Sequence, residues 1–196
     1  IARKVLIVVP NHTLPQWRDD FVKLYPNANV LMATEKDFEK KNRKRLFGKI
    51  SNGDWDAVVI GHSSIGKIGM PQTDMDAVLS EQLQDMEETL RVLAEEKTDK
   101  NIIRQIQNTM AKLEEKMQRL QLKQKGKDDG VTFDELGVDG LVVDEAHEFK
   151  NLFYTTGKRN IAGLGDPAGA GKAFDLFVKM RYLSRRYGDK AFRMFL

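Results

Sequence analysis

Short runs of consecutive apolar residues recur along the chain, and a polar turn follows most of them. Continuous β-branched runs of this length are typical of strands that are buried on both faces, as in a parallel sheet. The runs cover residues 5–9, 29–33, 55–60, 141–143 and 192–196. The pattern therefore predicts five strands.

Amphipathic stretches lie between these runs and predict helices that pack on the sheet. The first helix is predicted to begin at Thr13, because Thr13 and Gln16 have the spacing of a capping box. Further helices are expected at residues 38–50, which are strongly basic, and at residues 170–187. The alternation of strands and helices predicts an α/β fold with three layers and a mostly parallel sheet. One face of the first helix carries Trp17, Phe21 and Leu24.

Residues 75–125 have a different pattern, in which leucine, isoleucine and methionine recur in steps of three and four. Such steps are heptad seams of coiled-coil helices. The two seams are separated by residues 96–101, which contain no apolar residue, and the register breaks there. We therefore predict an antiparallel helical hairpin, with a single bent helix as the alternative. The predicted organisation is a lobe formed by residues 1–74 and 129–196, with the hairpin inserted as residues 75–128.

The amino-acid composition and net charge limit the functions that the chain can have. Of the 196 residues 41% are apolar and 31% are charged, so the chain can bury a core and still carry a long solvated helix. The net charge is only +3, and any nucleic-acid binding must therefore come from local basic patches. The absence of cysteine excludes disulfides and fits a cytoplasmic location. No apolar run approaches the roughly 18 residues of a membrane span, so no membrane partner is expected.

The most informative stretch follows the fourth predicted strand. Asp144 and Glu145 emerge at its carboxyl end, where ligands bind in open parallel sheets. An aspartate at this position can help to hold the Mg²⁺ of a bound nucleotide, and a neighbouring carboxylate can orient or deprotonate the attacking water. The alternative is a buried strand that simply ends in an acidic turn.

Several segments resemble motifs of one enzyme class. The tetrapeptide 144–147, Asp-Glu-Ala-His, resembles the DEAH box of superfamily-two helicases and translocases. Residues 6–10 with Gln16 and Trp17 resemble motif Ia of Swi/Snf-type translocases, and residues 61–64 resemble the segment near motif Ib. Residues 144–151, 160–165 and 172–175 more closely resemble very large phage- and plasmid-encoded proteins. Those proteins join such a helicase to an adenine-specific DNA methyltransferase, and some are linked to antirestriction.

The resemblance implies a partial RecA-like lobe, the first motor lobe of an ATP-hydrolysing helicase or translocase. In that family Asp144 would hold Mg²⁺, usually through water, Glu145 would be the catalytic base, and His147 would couple hydrolysis to the second lobe. The implied cofactors are ATP and Mg²⁺ in the parent protein, with none bound tightly to this chain alone. The implied partners are double-stranded DNA, the remaining helicase lobe and other domains of the parent chain.

Nucleic-acid contacts are expected where the first and third strands end. A helix N-terminus has free N–H groups that favour a phosphate, and hydroxyl groups follow the third strand. For Trp17 a role in the core is preferred, and His62 has a local hydrogen-bonding turn as its alternative role. The expected nucleic-acid contacts are Pro10, Asn11, His12, Thr13, His62, Ser63, Ser64 and Lys67.

The glycine-rich segment 166–173 is similar to a P-loop but does not match its consensus. The consensus needs glycine at the first position and serine or threonine at the last, where this chain has Asp166 and Ala173. The chain also opens directly on a strand and closes on another, so we expect a fragment that lacks the P-loop and is inactive alone. The alternative function is a non-catalytic nucleotide-fold scaffold whose hairpin binds a partner protein. A Gly-Lys-Thr loop upstream of residue 1 would favour the motor.

Overall fold

The sheet is the central element of the computed structural model, which describes residues 2–95, 131–149, 171–188 and 194–195 and isolated helical positions between 103 and 118. Its strands are β1 (Val5–Val9), β2 (Val30–Ala33), β3 (Ala57–Gly61), β4 (Gly140–Val143) and β5 (Met194–Phe195). They lie in the order β2-β3-β1-β4-β5, and every neighbouring pair is parallel. The predicted α/β class with a parallel sheet is confirmed.

The helices with complete bounds are α1 (Leu14–Leu24), α2 (Lys40–Asn52), α3 (His62–Ile65), α4 (Gln72–Glu95) and α5 (Gly171–Tyr187). Short 3₁₀ turns cover Asn11–Thr13, Phe133–Leu136 and Ala146–Phe149. Most of the glycine-rich segment 166–173, and the turn that would separate a hairpin from a bent helix, lie outside the described residues. None of the described helices is long and apolar enough to cross a membrane.

The two faces of the sheet are covered unequally, and β1 shows this most clearly. Leu6 and Val8 face the larger core cluster, whereas Ile7 and Val9 face a smaller one. Because both faces of β1 are buried, its sequence is continuously apolar and does not alternate with polar residues. The larger cluster receives side chains from four helices, among them Phe47 of α2, Ile65 of α3, Leu79 of α4 and Phe174 of α5.

α1 covers the smaller cluster with half-buried side chains. Trp17 and Phe21 pack against it as predicted, but Leu24 is 73% exposed. Leu24 is the last residue of α1 and does not take part in this packing.

Thr13 is the N-cap residue of α1, as predicted, but its side chain does not cap the helix. The hydroxyl of Thr13 donates to the carbonyl oxygen of Pro10 at 2.9 Å and makes no capping hydrogen bond to the helix. The predicted capping box at Thr13 is therefore wrong. A capping box is present instead between Thr132 and Glu135, at the 3₁₀ turn that precedes β4.

The first turns of α4 belong to the main core. Glu81 of α4 also forms ion pairs with Arg181 and, at 2.9 Å, with Arg185 of α5. The predicted boundary between residues 74 and 75 therefore falls inside a helix that is packed on the sheet. The α4 residues that are only 1% exposed are Met75, Val78 and Leu79.

Candidate functional site

The carboxyl ends of β1, β2, β3 and β4 meet at one edge of the sheet, which we call the carboxyl edge. The parallel register brings them together, because Val9 is paired with Gly61 and Val8 with Val143. Three predicted segments follow these strands directly and therefore lie at this edge, as do the residues after β2. The three segments are residues 10–13, 62–64 and 144–147.

Asp144 is the best-anchored residue of the carboxyl edge. Its backbone N–H donates to the carbonyl oxygen of Val8 at 2.9 Å, which continues the pairing of β4 with β1. The indole Nε1 of Trp17 donates to Oδ2 of Asp144 at 3.1 Å. Nε2 of His62 lies 2.8 Å from the carbonyl oxygen of Asp144, and because that oxygen only accepts, this nitrogen carries the hydrogen. Three other elements thus hold this half-buried aspartate in place.

Glu145 and His147 form an exposed pair beside Asp144. Oε2 of Glu145 lies 2.9 Å from Nδ1 of His147, and the two side chains are 55% and 62% exposed. Glu145 has a φ of 53°, a left-handed conformation that costs energy for a residue with a side chain. This turn ends the strand abruptly, and the 3₁₀ turn that begins at Ala146 follows it.

The other side of the acidic turn is tied to α5. Lys172 Nζ donates to Oε2 of Glu148 at 3.2 Å, and this hydrogen bond lowers the pKa of the Glu148 carboxyl. Lys172 also lies 5.4 Å from the ring centroid of Phe149, which is buried and packs edge-on against His62. Oε1 of Glu148 is 3.7 Å from Nε2 of His147. The acidic turn is therefore held between α3, which carries His62, and α5.

A second group of polar side chains joins the ends of three strands. Oε1 of Glu35, which follows β2, accepts hydrogen bonds from Nδ2 of Asn11 and from Oγ of Ser63, each at 2.6 Å. Nδ2 of Asn11 also lies 2.8 Å from Oγ of Ser63. We call Asn11, Glu35 and Ser63 the edge cluster. All three residues are exposed, so the cluster is accessible to a ligand.

The remaining residues predicted to contact nucleic acid differ in accessibility. His12 is exposed, and Lys67 is half-buried with its Nζ 5.9 Å from the ring centroid of Phe38. Ser64 is fully buried, and its Oγ has no hydrogen-bond partner. The prediction of a nucleic-acid contact for Ser64 therefore needs correction, because α3 turns this hydroxyl into the core rather than toward the edge.

A family model described as a probable helicase domain matches residues 1–196. The chain belongs to this family. No curated protein and no solved structure gives a significant match. The resemblance to helicases is thus confirmed at the level of the family, and within a helicase-related domain the acidic turn and the edge cluster become the candidate nucleotide and nucleic-acid sites.

The carboxylates of the acidic turn are candidate ligands for Mg²⁺. Asp144 and Glu145 supply carboxylate oxygens, the ligand type that Mg²⁺ prefers. No group of three or more potential metal ligands occurs among the described residues. Mg²⁺ is commonly held by one or two carboxylates together with waters and substrate phosphates, so these residues fit such an ion. Beside them lies an open depression of about 550 Å³ that Trp17 and His147 also line.

Sequence reasoning missed three participants in these sites. A role in the core was preferred for Trp17, yet its indole N–H also reaches Asp144. Glu35 and Lys172 were not singled out at all as contacts of the site. Glu35 directly follows the second strand, so the rule that ligands bind at the carboxyl ends of parallel strands could have drawn attention to it. No local sequence signal distinguishes Lys172.

Proposed function

We propose that the chain forms part of the ATP-binding motor lobe of a nucleic-acid-dependent ATPase, a helicase or translocase with a DEAH-type acidic turn on a RecA-like sheet. The observation that carries the proposal is the difference between the two carboxylates of this turn. Asp144 is held by contacts from β1, α1 and His62, whereas Glu145 projects into solvent beside His147. A fixed metal-binding carboxylate next to an accessible carboxylate is the arrangement that nucleotide hydrolysis needs.

The proposed roles follow from these contacts. Asp144 would hold Mg²⁺, and Trp17 orients the Asp144 carboxylate by donating to Oδ2. Glu145 positions the attacking water and accepts its proton. His147 lies 2.9 Å from Glu145 and fixes the direction of that carboxylate, while Glu148 and Lys172 hold the turn on the opposite side. Mg²⁺, when bound with ATP, neutralises the charge that develops on the phosphates.

The same edge is proposed to hold the backbone of double-stranded DNA. Asn11, His12 and Ser63 are exposed and carry side-chain hydrogen-bonding groups, and Lys67 adds a positive charge close to α3. Contacts to phosphates are independent of base sequence. They weaken as the salt concentration rises, because the release of counterions from the DNA then contributes less to binding. Lys67→Glu should therefore weaken DNA binding without changing sequence preference.

The decisive experiment is DNA-stimulated ATP hydrolysis by the complete protein that contains this chain. Glu145→Gln should leave nucleotide binding nearly intact and lower turnover by at least about 100-fold, because the substitution keeps the shape and removes the base. Glu148→Gln is the matched variant in the same turn, and its loss should be much smaller because Lys172 already engages that carboxylate. If turnover by Glu145→Gln stays within a few-fold of wild type, the scaffold function is favoured instead.

A further inference from the structure

The edge cluster places a carboxylate where a phosphate is expected. Asn11 and Ser63 present an amide N–H and a hydroxyl, the kinds of donor that bind phosphate oxygens in protein–DNA complexes. In this structure both donate to Oε1 of Glu35, at 2.6 Å each. A carboxylate oxygen resembles a phosphate oxygen in its charge and in its ability to accept several short hydrogen bonds. Glu35 thus occupies the donors that a DNA backbone would use.

The two donors are held in position independently of Glu35. The backbone N–H of Ser63 donates to Oδ1 of Asn11 at 3.3 Å. Gly61 allows Asn11 to lie against the end of β3, because a Cβ atom at Gly61 would be only 2.3 Å from Oδ1 of Asn11. The amide of Asn11 therefore remains aimed at the edge when Glu35 moves. The donor pair is preorganised, and the exposed Glu35 side chain is the part that can exchange.

A cavity next to the edge cluster can receive the displaced carboxylate. It has a volume of about 370 Å³ and lies between α1 and the end of β2, with Glu35 and Arg18 both contributing to its lining. Arg18 is paired with Asp19 at 3.1 Å, but both side chains are more than half exposed, and such ion pairs are weak. Glu35 forms no salt bridge within the described part of the chain. Arg18 is therefore available as a partner for Glu35 in a second position.

We propose that Glu35 is a specificity-determining residue of the DNA-binding edge, because its carboxylate competes with a backbone phosphate for Asn11 and Ser63. Binding then requires Glu35 to leave the donor pair and turn toward Arg18. Anions that make too few other contacts do not displace it, so the carboxylate discriminates against weak, incidental phosphate binding. This inference rests on the proposed function, since it assumes that the edge binds a nucleic-acid backbone.

The test measures binding of the 196-residue chain to a fluorescein-labelled DNA duplex by anisotropy at fixed salt. Glu35→Gln should bind roughly tenfold more tightly, because like-charge repulsion at the phosphate position is removed. Glu39→Gln is the matched control, since it makes the same change of charge at an exposed carboxylate that is paired with Lys41 at 3.3 Å. An equal gain for Glu39→Gln would overturn the proposal, because the effect would then come from net charge alone.

A double-mutant cycle separates this inference from the proposed function. In an Asn11→Ala or Ser63→Ala background, the gain from Glu35→Gln should fall to less than about twofold, because the donors are gone. If these two substitutions weaken binding but Glu35→Gln gives no gain, the competition is refuted and the DNA-binding edge remains. If neither wild type nor Glu35→Gln binds the duplex, the proposed DNA-binding edge and the competition at Glu35 both fail.

Discussion

At the scale of single residues, the indole of Trp17 has two functions at once. Its ring packs on the smaller core cluster, and its Nε1 donates to the carboxylate of Asp144. A hydrogen bond to an ionised acceptor is stronger than one between neutral groups. The contact therefore links the packing of α1 to the orientation of the proposed metal ligand.

Trp17→Phe keeps most of the ring and removes this donor. The free energy of unfolding should fall by about 1 to 2 kcal/mol, which is the range for a partly exposed hydrogen bond to a charged group plus the smaller ring. Urea denaturation measures the change. In an Asp144→Ala background the loss should shrink, because the acceptor is absent. An identical loss in both backgrounds would mean that only packing was affected.

Asp37 provides a prediction about pH. Hydrogen bonds from the hydroxyl and the backbone N–H of Thr34 lower the pKa of Asp37 from its ordinary value of 3.8. A carboxyl whose pKa is lower in the folded state stabilises the fold above the unfolded-state pKa, and this contribution disappears as the pH falls through the folded-state pKa. The contribution is therefore complete at neutral pH and is lost below about pH 3.8.

Asp37→Asn should consequently lower the melting temperature at pH 7 and lose this effect as the pH is reduced below about 3.8. Thermal unfolding monitored by circular dichroism across this range gives the comparison. Asp54→Asn, at an exposed position that also carries a carboxylate, controls for the change in net charge. A constant difference between Asp37→Asn and wild type at every pH would contradict the assignment.

At the scale of elements, α4 divides into a buried start and a more exposed continuation. Leu79 is 1% exposed, whereas Val92 is 44% exposed on the same helix. Glu81 links the buried part to α5 through its ion pairs with Arg181 and Arg185. The beginning of α4 thus behaves as a core helix, although its sequence continues the same heptad pattern.

Leu79→Ala should lower the free energy of unfolding by about 2 to 5 kcal/mol, because it leaves a cavity in the core. Val92→Ala is the matched control in the same helix and should change it by no more than about 0.5 kcal/mol. Chemical denaturation of the two variants provides the measurement. Similar losses for both would show that the outer part of α4 also packs against the rest of the protein.

The difference between the buried start of α4 and its exposed continuation also predicts the effect of removing the predicted hairpin. Replacing residues 88–128 by a Gly/Ser linker should preserve cooperative unfolding, because the buried start of α4 remains. Replacing residues 72–128 should abolish it, since Met75, Val78 and Leu79 leave the core together. Cooperative unfolding of the larger deletion would place the whole segment outside the folding unit.

At the scale of the whole molecule, the proposed catalytic carboxylates occur without a recognisable phosphate-binding loop in this sequence. No Gly-Lys pair in the 196 residues is followed by serine or threonine. Backbone N–H groups and a lysine in such a loop supply much of the stabilisation of the transferred phosphate. The proposed metal and base positions therefore provide only part of the catalytic machinery.

We accordingly expect no DNA-stimulated ATP hydrolysis by the purified 196-residue chain. A coupled assay of phosphate release, with and without duplex DNA, measures this directly. Glu145→Gln serves as the background control, and wild type should not exceed it. Turnover that depends on both DNA and Glu145 would contradict the prediction.

The sequence alone determined the class of fold and the location of the acidic turn. Runs such as residues 5–9 and 141–143 are apolar throughout, which is typical of strands covered on both faces, so the parallel sheet could be predicted before its topology was known. The predicted and observed bounds of β1 to β4, α2 and α5 agree within about two residues, because turn residues and polar breaks limit each run. Asp144 could be predicted as a candidate site residue because it directly follows a buried strand.

Tertiary structure alone decided which side chains meet at the carboxyl edge. Glu35 is separated from Asn11 by 24 residues and from Ser63 by 28, and only the order of the strands brings them within hydrogen-bonding distance. The contact between Trp17 and Asp144 spans 127 residues for the same reason. The burial of Ser64 and the exposure of Leu24 likewise depend on neighbouring elements. Local patterns determine which segments become strands and helices, but contacts between distant segments depend on how those elements pack.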